Sequence, residues 1–455
     1  MPRTSMLRLP PMSVTTRHSA SAYPFQCQAG LPLVGPIIGQ EVLGQGMFCY
    51  DPFCLYATET LLSPCMLVSG NKGYGKSAFV KAYLHRQAMA GKWMAILDPK
   101  GEYLDLAERD QLSVLALRPG GPVRLNPLEA GPDAVDTVAL DPPIAGAPSD
   151  DVRGRRIGVV IALAESATGR PVTSDERSVV TAALMELERR TASRRARRDG
   201  PTPSGPTPSG PTLRHVMDLL MEPTEGMASE LRTDAINLAA DARSVARGLH
   251  RLVEGDLAGM FDGESTATVD WSGPGIVVDL SAVLQSPAFS SILVCAGAWL
   301  AQVVARKDRQ RIIVVDECWK AIRDAGFVAW GEETQKLSRG YGVQFVTIVQ
   351  RISDLASQAD DGTATAKRAQ GFVTEAETKV TFNLSGGEAR ASRDVMDWTE
   401  SEIQLVPRLP RGRALWRVGE HGAIVQTILS PRDIAMCDSN QAMRRDSNQL
   451  LGSHK

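Results

Sequence analysis

The sequence predicts an open, mostly parallel α/β sheet interrupted by an inserted all-α subdomain. Residues 66–68, 93–97, 275–280, 312–315 and 343–349 are short, apolar and partly β-branched runs, the composition of strands buried on both faces. Helical segments separate them, which argues for parallel strands joined by crossovers. Residues 152–193 and 211–256 read instead as helices rich in Ala, Leu, Arg and Glu, and the strand candidates fall outside them.

A chain of 455 residues with 43% hydrophobic content accommodates one large α/β domain with insertions, or two to three ordinary domains. The pattern divides it into a flexible basic leader over 1–45, a first part of the core over 46–135 and a helical insertion over 136–256. A second part of the core over 257–432 and a flexible tail over 433–455 follow. The leader carries Arg3, Arg8 and Arg17 with no acidic residue before Glu41, and no continuous apolar stretch follows the arginines to make a secretory signal. Inside the insertion, 199–211 holds a tandem Gly-Pro-Thr-Pro-Ser repeat, which sustains neither helix nor strand and is expected as a disordered loop. Arg194, Arg195, Arg197 and Arg198 before it read as a solvated charge run. Near the C-terminus, 414–418 and 423–429 flank Gly419-Glu420-His421-Gly422, predicting a hairpin added at a sheet edge.

Composition excludes several classes. Fifty basic against 52 acidic residues leave a net charge of −2, so contact with nucleic acid must come from a local patch. The seven cysteines are scattered without a Cys-x-x-Cys pair, as reduced thiols of a cytosolic protein are, and a structural zinc site is not expected. The longest uncharged apolar stretch, 292–305, is interrupted by Gln302 and is too short to cross a bilayer, so no transmembrane segment is expected.

The chemistry concentrates at the ends of the strands. Gly70-Asn71-Lys72-Gly73-Tyr74-Gly75-Lys76-Ser77 lies between the run at 66–68 and a helical stretch from Ala78. A Gly-rich turn so placed aims backbone N–H groups at phosphates, with Lys76 neutralising the β and γ charge and Ser77 completing a Mg²⁺ shell. A nucleoside triphosphate site is therefore predicted. The run at 312–315 ends in Asp316-Glu317, with Asp316 expected to hold Mg²⁺ beside Ser77 and Glu317 to polarise the attacking water. Asp98 and Glu102, in Asp98-Pro99-Lys100-Gly101-Glu102-Tyr103, end a neighbouring strand and read either as carboxylates near the γ-phosphate or as a solvated turn. Gln350 closes the run at 343–349 as a candidate γ-phosphate sensor. Arg339 is the candidate arginine finger acting across a subunit boundary, and Arg411 and Arg413 compete for that role.

In this order, together with Leu125-Asn126-Pro127-Leu128, Val277-Val278-Asp279-Leu280 and Asp316-Glu317-Cys318-Trp319, the motifs resemble the conjugative type IV secretion ATPases. Those are RecA-like P-loop motors of the HerA/FtsK superfamily, and the resemblance spans about residues 36–431. It implies a homo-hexameric ATPase using ATP and Mg²⁺, cytoplasmic or peripheral at the inner face of the cell membrane, working with conjugative channel or adaptor proteins and in contact with DNA. It also implies that Lys76 and Ser77 are phosphate and Mg²⁺ ligands, Asp316 a metal-shell residue, Glu317 the catalytic base, Gln350 the sensor and Arg339 the trans finger. The family carries a large channel-docking domain ahead of the motor, whereas about 45 residues precede it here, which points to an adaptor. The alternatives are a DNA translocase or coupling protein of the same superfamily, and a nucleotide-controlled scaffold without useful turnover. Glu317 speaks against the scaffold, and the lack of an Asn-Lys-x-Asp segment speaks against a GTP switch.

Overall fold

The computed structural model describes residues 30–129, 149–196, 210–266, 270, 272–304, 309–317, 327–328, 331–332, 335, 340, 342–352 and 374–437. Arg339, Cys318, Trp319, the repeat at 199–209 and most of the expected leader and tail lie outside these residues.

The chain begins with β1 (Ile37–Glu41), β2 (Met47–Cys49), α1 (Pro52–Ala57), β3 (Met66–Ser69) and α2 (Lys76–Met89). Next come β4 (Trp93–Asp98), α3 (Leu104–Asp110) and β5 (Ser113–Ala116). A helical block follows: α4 (Ser149–Thr168), α5 (Ser174–Ala196), α6 (Leu213–Met221), α7 (Glu225–Glu230) and α8 (Ala235–Val253). The chain returns to the sheet in β6 (Gly275–Asp279), α9 (Phe289–Val304), β7 (Arg311–Val315), β8 (Val343–Ile348) and β9 (Thr378–Thr381). It closes with α10 (Gly386–Ala391), α11 (Arg393–Met396), α12 (Glu400–Leu405), β10 (Arg413–Val418), β11 (His421–Thr427) and α13 (Pro431–Cys437).

One 11-stranded sheet runs in the order β2-β1-β11-β10-β9-β3-β8-β7-β4-β6-β5. From β9 to β5 every pairing is parallel, and from β9 outward to β2 every pairing is antiparallel. Alternation along the parallel strands separates two cores, as a two-residue side-chain period requires. Leu67, Ala95, Leu97, Ile313 and Val315 face the helical block, packing with residues such as Leu163, Leu184 and Leu249. Val68, Met94, Ile96, Ile312 and Val314 face α2 and α3, packing with Phe79, Val80, Tyr83 and Leu106. Burial on both faces explains why these strands read as nearly continuous apolar runs.

Three expectations are corrected. The hairpin of β10 and β11 is not at an edge, because β11 pairs onward with β1, whose other side holds β2. β1 is a short strand containing Gly39, so only its pairing partners identify it, and a leader reaching residue 45 overruns it. The tail expected from 433 starts inside α13, where Asp433 is buried and pairs with Arg86 and Arg109 at 3.4 and 3.3 Å.

In the helical block the turn into α5 is closed by a charged pair. The Glu176 carboxylate accepts from both terminal nitrogens of Arg170 at 2.9 and 2.5 Å and from the Thr173 N–H at 2.8 Å. Arg170 also donates to the Ser244 hydroxyl at 3.0 Å, tying the turn to α8. The bidentate Arg170 contact, then the Thr173 N–H and hydroxyl, hold Glu176 well below the usual carboxylate range, at about 2.

Candidate nucleotide site

The phosphate loop leaves β3 and enters α2 through a glycine-dependent path. Gly70, Gly73 and Gly75 sit at φ +141, +87 and +107, where side chains other than glycine are strained. Gly70 has a second constraint: a Cβ there would stand 2.7 Å from the Phe382 Cβ. Beneath the loop, Phe79 on α2 packs against Phe382 and Trp416, with ring centroids 5.9 and 5.3 Å away, so aromatic packing fixes the helix that carries Lys76 and Ser77. From the side, Asn71 N–H donates to Asn383 O at 2.7 Å and Gly412 N–H donates to Tyr74 O at 3.0 Å.

Lys76 is buried and its ammonium turns back on the loop, donating to Gly70 O and, at 3.1 Å, to Asn71 O. Burial pulls its pKa down to about 8, against the nearby charge of Asp316 and Glu317. Ser77 is half-buried beside it, while Lys72 and Gly73 are exposed at the tip.

Asp316 and Glu317 follow β7 and are both buried. The Asp316 carboxylate accepts from Glu317 N–H at 2.8 Å and from the Tyr103 hydroxyl at 3.3 Å, and no ion pair forms to it among the described residues. Burial, then repulsion from Glu317 and Glu102, pushes its pKa up to about 7. Glu317 adopts φ +52, a left-handed conformation uncommon for glutamate, and one found where a fold holds a side chain in place against local preference. Its Oε1 accepts from Lys100 Nζ and from Gln350 Nε2, the latter at 2.6 Å.

Glu317, Gln350 and Lys100 therefore form one hydrogen-bonded group, with Asp316 adjoining it and Lys76 electrostatically coupled to both acids. The structure puts Asp98 to a different use from either sequence reading. Its buried carboxylate accepts from the N–H groups of Lys100, Glu102 and Tyr103 at 3.1, 3.2 and 2.9 Å, so it shapes the turn that presents Lys100. Burial lifts the Asp98 pKa, partly opposed by those N–H groups. Glu102 remains at the rim, 4.0 Å from Lys100. Arg413 donates to Gln426 at 2.9 Å, and exposed Arg411 adjoins the Gly412 that binds the chain's own phosphate loop.

Lys100 and Tyr103 are the two residues that sequence reasoning passed over. Both stand in the segment singled out for its carboxylates, and a strand end facing an acid pair needs a counter-charge, which is the signal that points to Lys100. Among the described residues no group of three or more His, Cys, Asp or Glu could hold a metal unaided. Ser77 and Asp316 instead offer a hydroxyl and a carboxylate, the hard oxygen donors of a Mg²⁺ that takes its remaining ligands from water and phosphate.

No family model and no curated protein matches the sequence. Solved structures do. VirB4 of Thermoanaerobacter pseudethanolicus superposes with a TM-score of 0.65 at 19% identity, covering 89% of this chain and 99% of that one. The plasmid coupling protein TrwB in complex with the ATP analogue ADPNP gives 0.51 at 17% identity, over 80% of this chain and 85% of that one. TrwB lacking its N-terminal segment, in an unbound form, gives 0.51 at 16%, over 86% and 88%. With the parallel sheet and the glycine-dependent loop at β3, these likenesses identify the fold as that of a RecA-like P-loop ATPase.

Proposed function

We propose that this chain is a Mg²⁺-dependent ATPase motor that powers DNA or protein transfer in a conjugative type IV secretion system. The observation that carries the reading is the gathering of Lys76, Asp316, Glu317 and Gln350 at the carboxyl ends of adjacent parallel strands. That crevice is where open α/β sheets bind ligands. The better superposition on VirB4, with a TM-score of 0.65 against 0.51 for the coupling protein TrwB, supports the secretion branch over the coupling proteins.

In this reading Lys76 leaves the carbonyls of Gly70 and Asn71 and binds the β and γ phosphates of ATP. Ser77 and Asp316 hold Mg²⁺, which supplies neutralisation of phosphate charge. Glu317 accepts the proton of the attacking water, and Gln350, bonded to the same carboxylate, orients that water. Arg339 of a neighbouring subunit in a homo-hexamer stabilises charge on the transferred phosphoryl group. The reading includes attachment at the inner face of the membrane through channel or adaptor proteins, and the described helices include none long and apolar enough to cross a membrane.

Phosphate release by the purified protein with ATP and Mg²⁺ tests the reading. Glu317→Gln should retain ATP binding while turnover falls by roughly 10²- to 10⁴-fold. Hydrolysis by the variant at the parent rate sinks the assignment. Strong stimulation of the parent by single- or double-stranded DNA alone would favour the translocase reading instead.

A further inference from the structure

The contact between Lys100 and Glu317 carries a consequence for how hydrolysis is controlled. Lys100 belongs to no part of the phosphate loop and comes from the turn after β4, which is separated from β3 by two strands, β7 and β8. Its backbone is held firmly: Asp98 accepts three N–H groups around it, and Gly101 takes the left-handed φ of +69. Beyond that backbone, a four-carbon stem leaves the Lys100 side chain 30% exposed, whereas the Glu317 side chain is 6% exposed. Of the two partners, the lysine is the one that can move.

The state described is self-satisfied. Oε1 of Glu317 receives both Lys100 and Gln350, so the oxygen that would meet an attacking water is already engaged by the chain. Lys76 is likewise turned on its own loop. The electrostatics of Lys100 join it to this cluster: burial pulls its pKa down, but the bond to Glu317 and the charges of Glu317, Asp316 and Glu102 more than offset that and raise it.

Resting on the ATP reading above, we propose that Lys100 is a positioning residue that responds to the terminal phosphate of the nucleotide. Without nucleotide it pins Glu317; a γ-phosphate competes for its ammonium, draws it away and frees the carboxylate to act on water. ADP lacks that phosphate and leaves the pair closed. Lys100 thereby links the strength of nucleotide binding to the number of phosphates, and keeps Glu317 inactive until a hydrolysable nucleotide is present.

The test is the ratio of ATP to ADP affinity, measured by calorimetry with Mg²⁺ and with a non-hydrolysable ATP analogue standing for ATP, so that hydrolysis does not intrude and the contact of Lys100 with Glu317 is kept. The Lys100→Met change should weaken ATP binding by about 10- to 100-fold relative to the Lys100 parent while leaving ADP binding within about twofold. Lys100→Arg should restore much of the ATP preference, and Lys100→Gln serves as a second neutral variant if the methionine protein unfolds. Equal weakening of ATP and ADP, or no change in either, overturns the role of Lys100 while leaving the ATPase reading intact. If the wild-type protein binds neither nucleotide, both fall together.

Discussion

Glu176 in the helical block and Asp316 beside the phosphate loop are both buried carboxylates, and the fold treats them in opposite ways. Glu176 is clamped by Arg170 and capped by Thr173, and sits at about 2. Asp316 has a hydroxyl and one N–H, faces Glu317 and Glu102, and sits at about 7. One carboxylate is satisfied by the chain itself. The other is held in a place where the chain supplies too little positive charge, which fits the proposed Mg²⁺ site, where the cation would supply it. Lys76 repeats the pattern from the other side, a buried ammonium pulled down to about 8.

The largest effect that could break this comparison is a stability change of opposite sign at the two positions. Glu176→Gln should destabilise the nucleotide-free protein by about 1–3 kcal/mol, since Arg170 loses a charged partner and the turn into α5 loses its charged cap. Asp316→Asn should stabilise the same protein at pH 8, on the order of 1–3 kcal/mol, because a repelled buried charge is removed. Thermal unfolding measures both. Added Mg²⁺ and ATP should then raise the stability of the parent and fail to raise that of Asp316→Asn, turning a gain without ligand into a deficit with it. Destabilisation by both changes would mean that Asp316 is an ordinary structural acid.

Titration sharpens the same contrast with a smaller effect. For Glu176 the folded value lies below the ordinary 4.5, so its contribution is present above 4.5 and is lost as pH falls toward about 2. For Asp316 the folded value lies above the ordinary 3.8, so stability associated with its proton is present below 3.8 and is lost as pH rises to about 7. Nucleotide-free protein should therefore show two opposed limbs in a stability-against-pH curve. Glu176→Gln should flatten the acid limb alone, and Asp316→Asn the limb between about 4 and 7 alone.

These contrasts also mark what the sequence made legible. The loop at Gly70 to Ser77 was readable because its glycines answer to backbone geometry, and that geometry is local. The strands β4, β6, β7 and β8 were readable because burial on both faces leaves a continuous apolar signature. β9, with the sequence Thr-Lys-Val-Thr, has no such signature, and only its pairing with β3 and β10 makes it a strand. The antiparallel extension through β1 was missed for the same reason. At the site, residue types that stand at strand ends were found. The role of Asp98 as a turn former and the contact of Lys100 with Glu317 depend on which strands lie side by side, a tertiary fact that no spacing within one segment encodes.

The smallest effect concerns Tyr103, whose ring is fully buried and whose hydroxyl reaches Asp316 at 3.3 Å. Burial and the charge of Asp316 hold its pKa well above the ordinary range, so it serves as a neutral donor and has no proton to give up near neutral pH. Tyr103→Phe keeps the ring and removes only a long hydrogen bond, which is worth about 0.5–1.5 kcal/mol at most. ATP turnover should fall by less than about tenfold, with thermal stability nearly unchanged. A loss approaching that of Glu317→Gln would move Tyr103 from a support of Asp316 to a participant in the chemistry. The ligand-dependent side of the comparison would then be Asp316 and Tyr103 together, not the carboxylate alone.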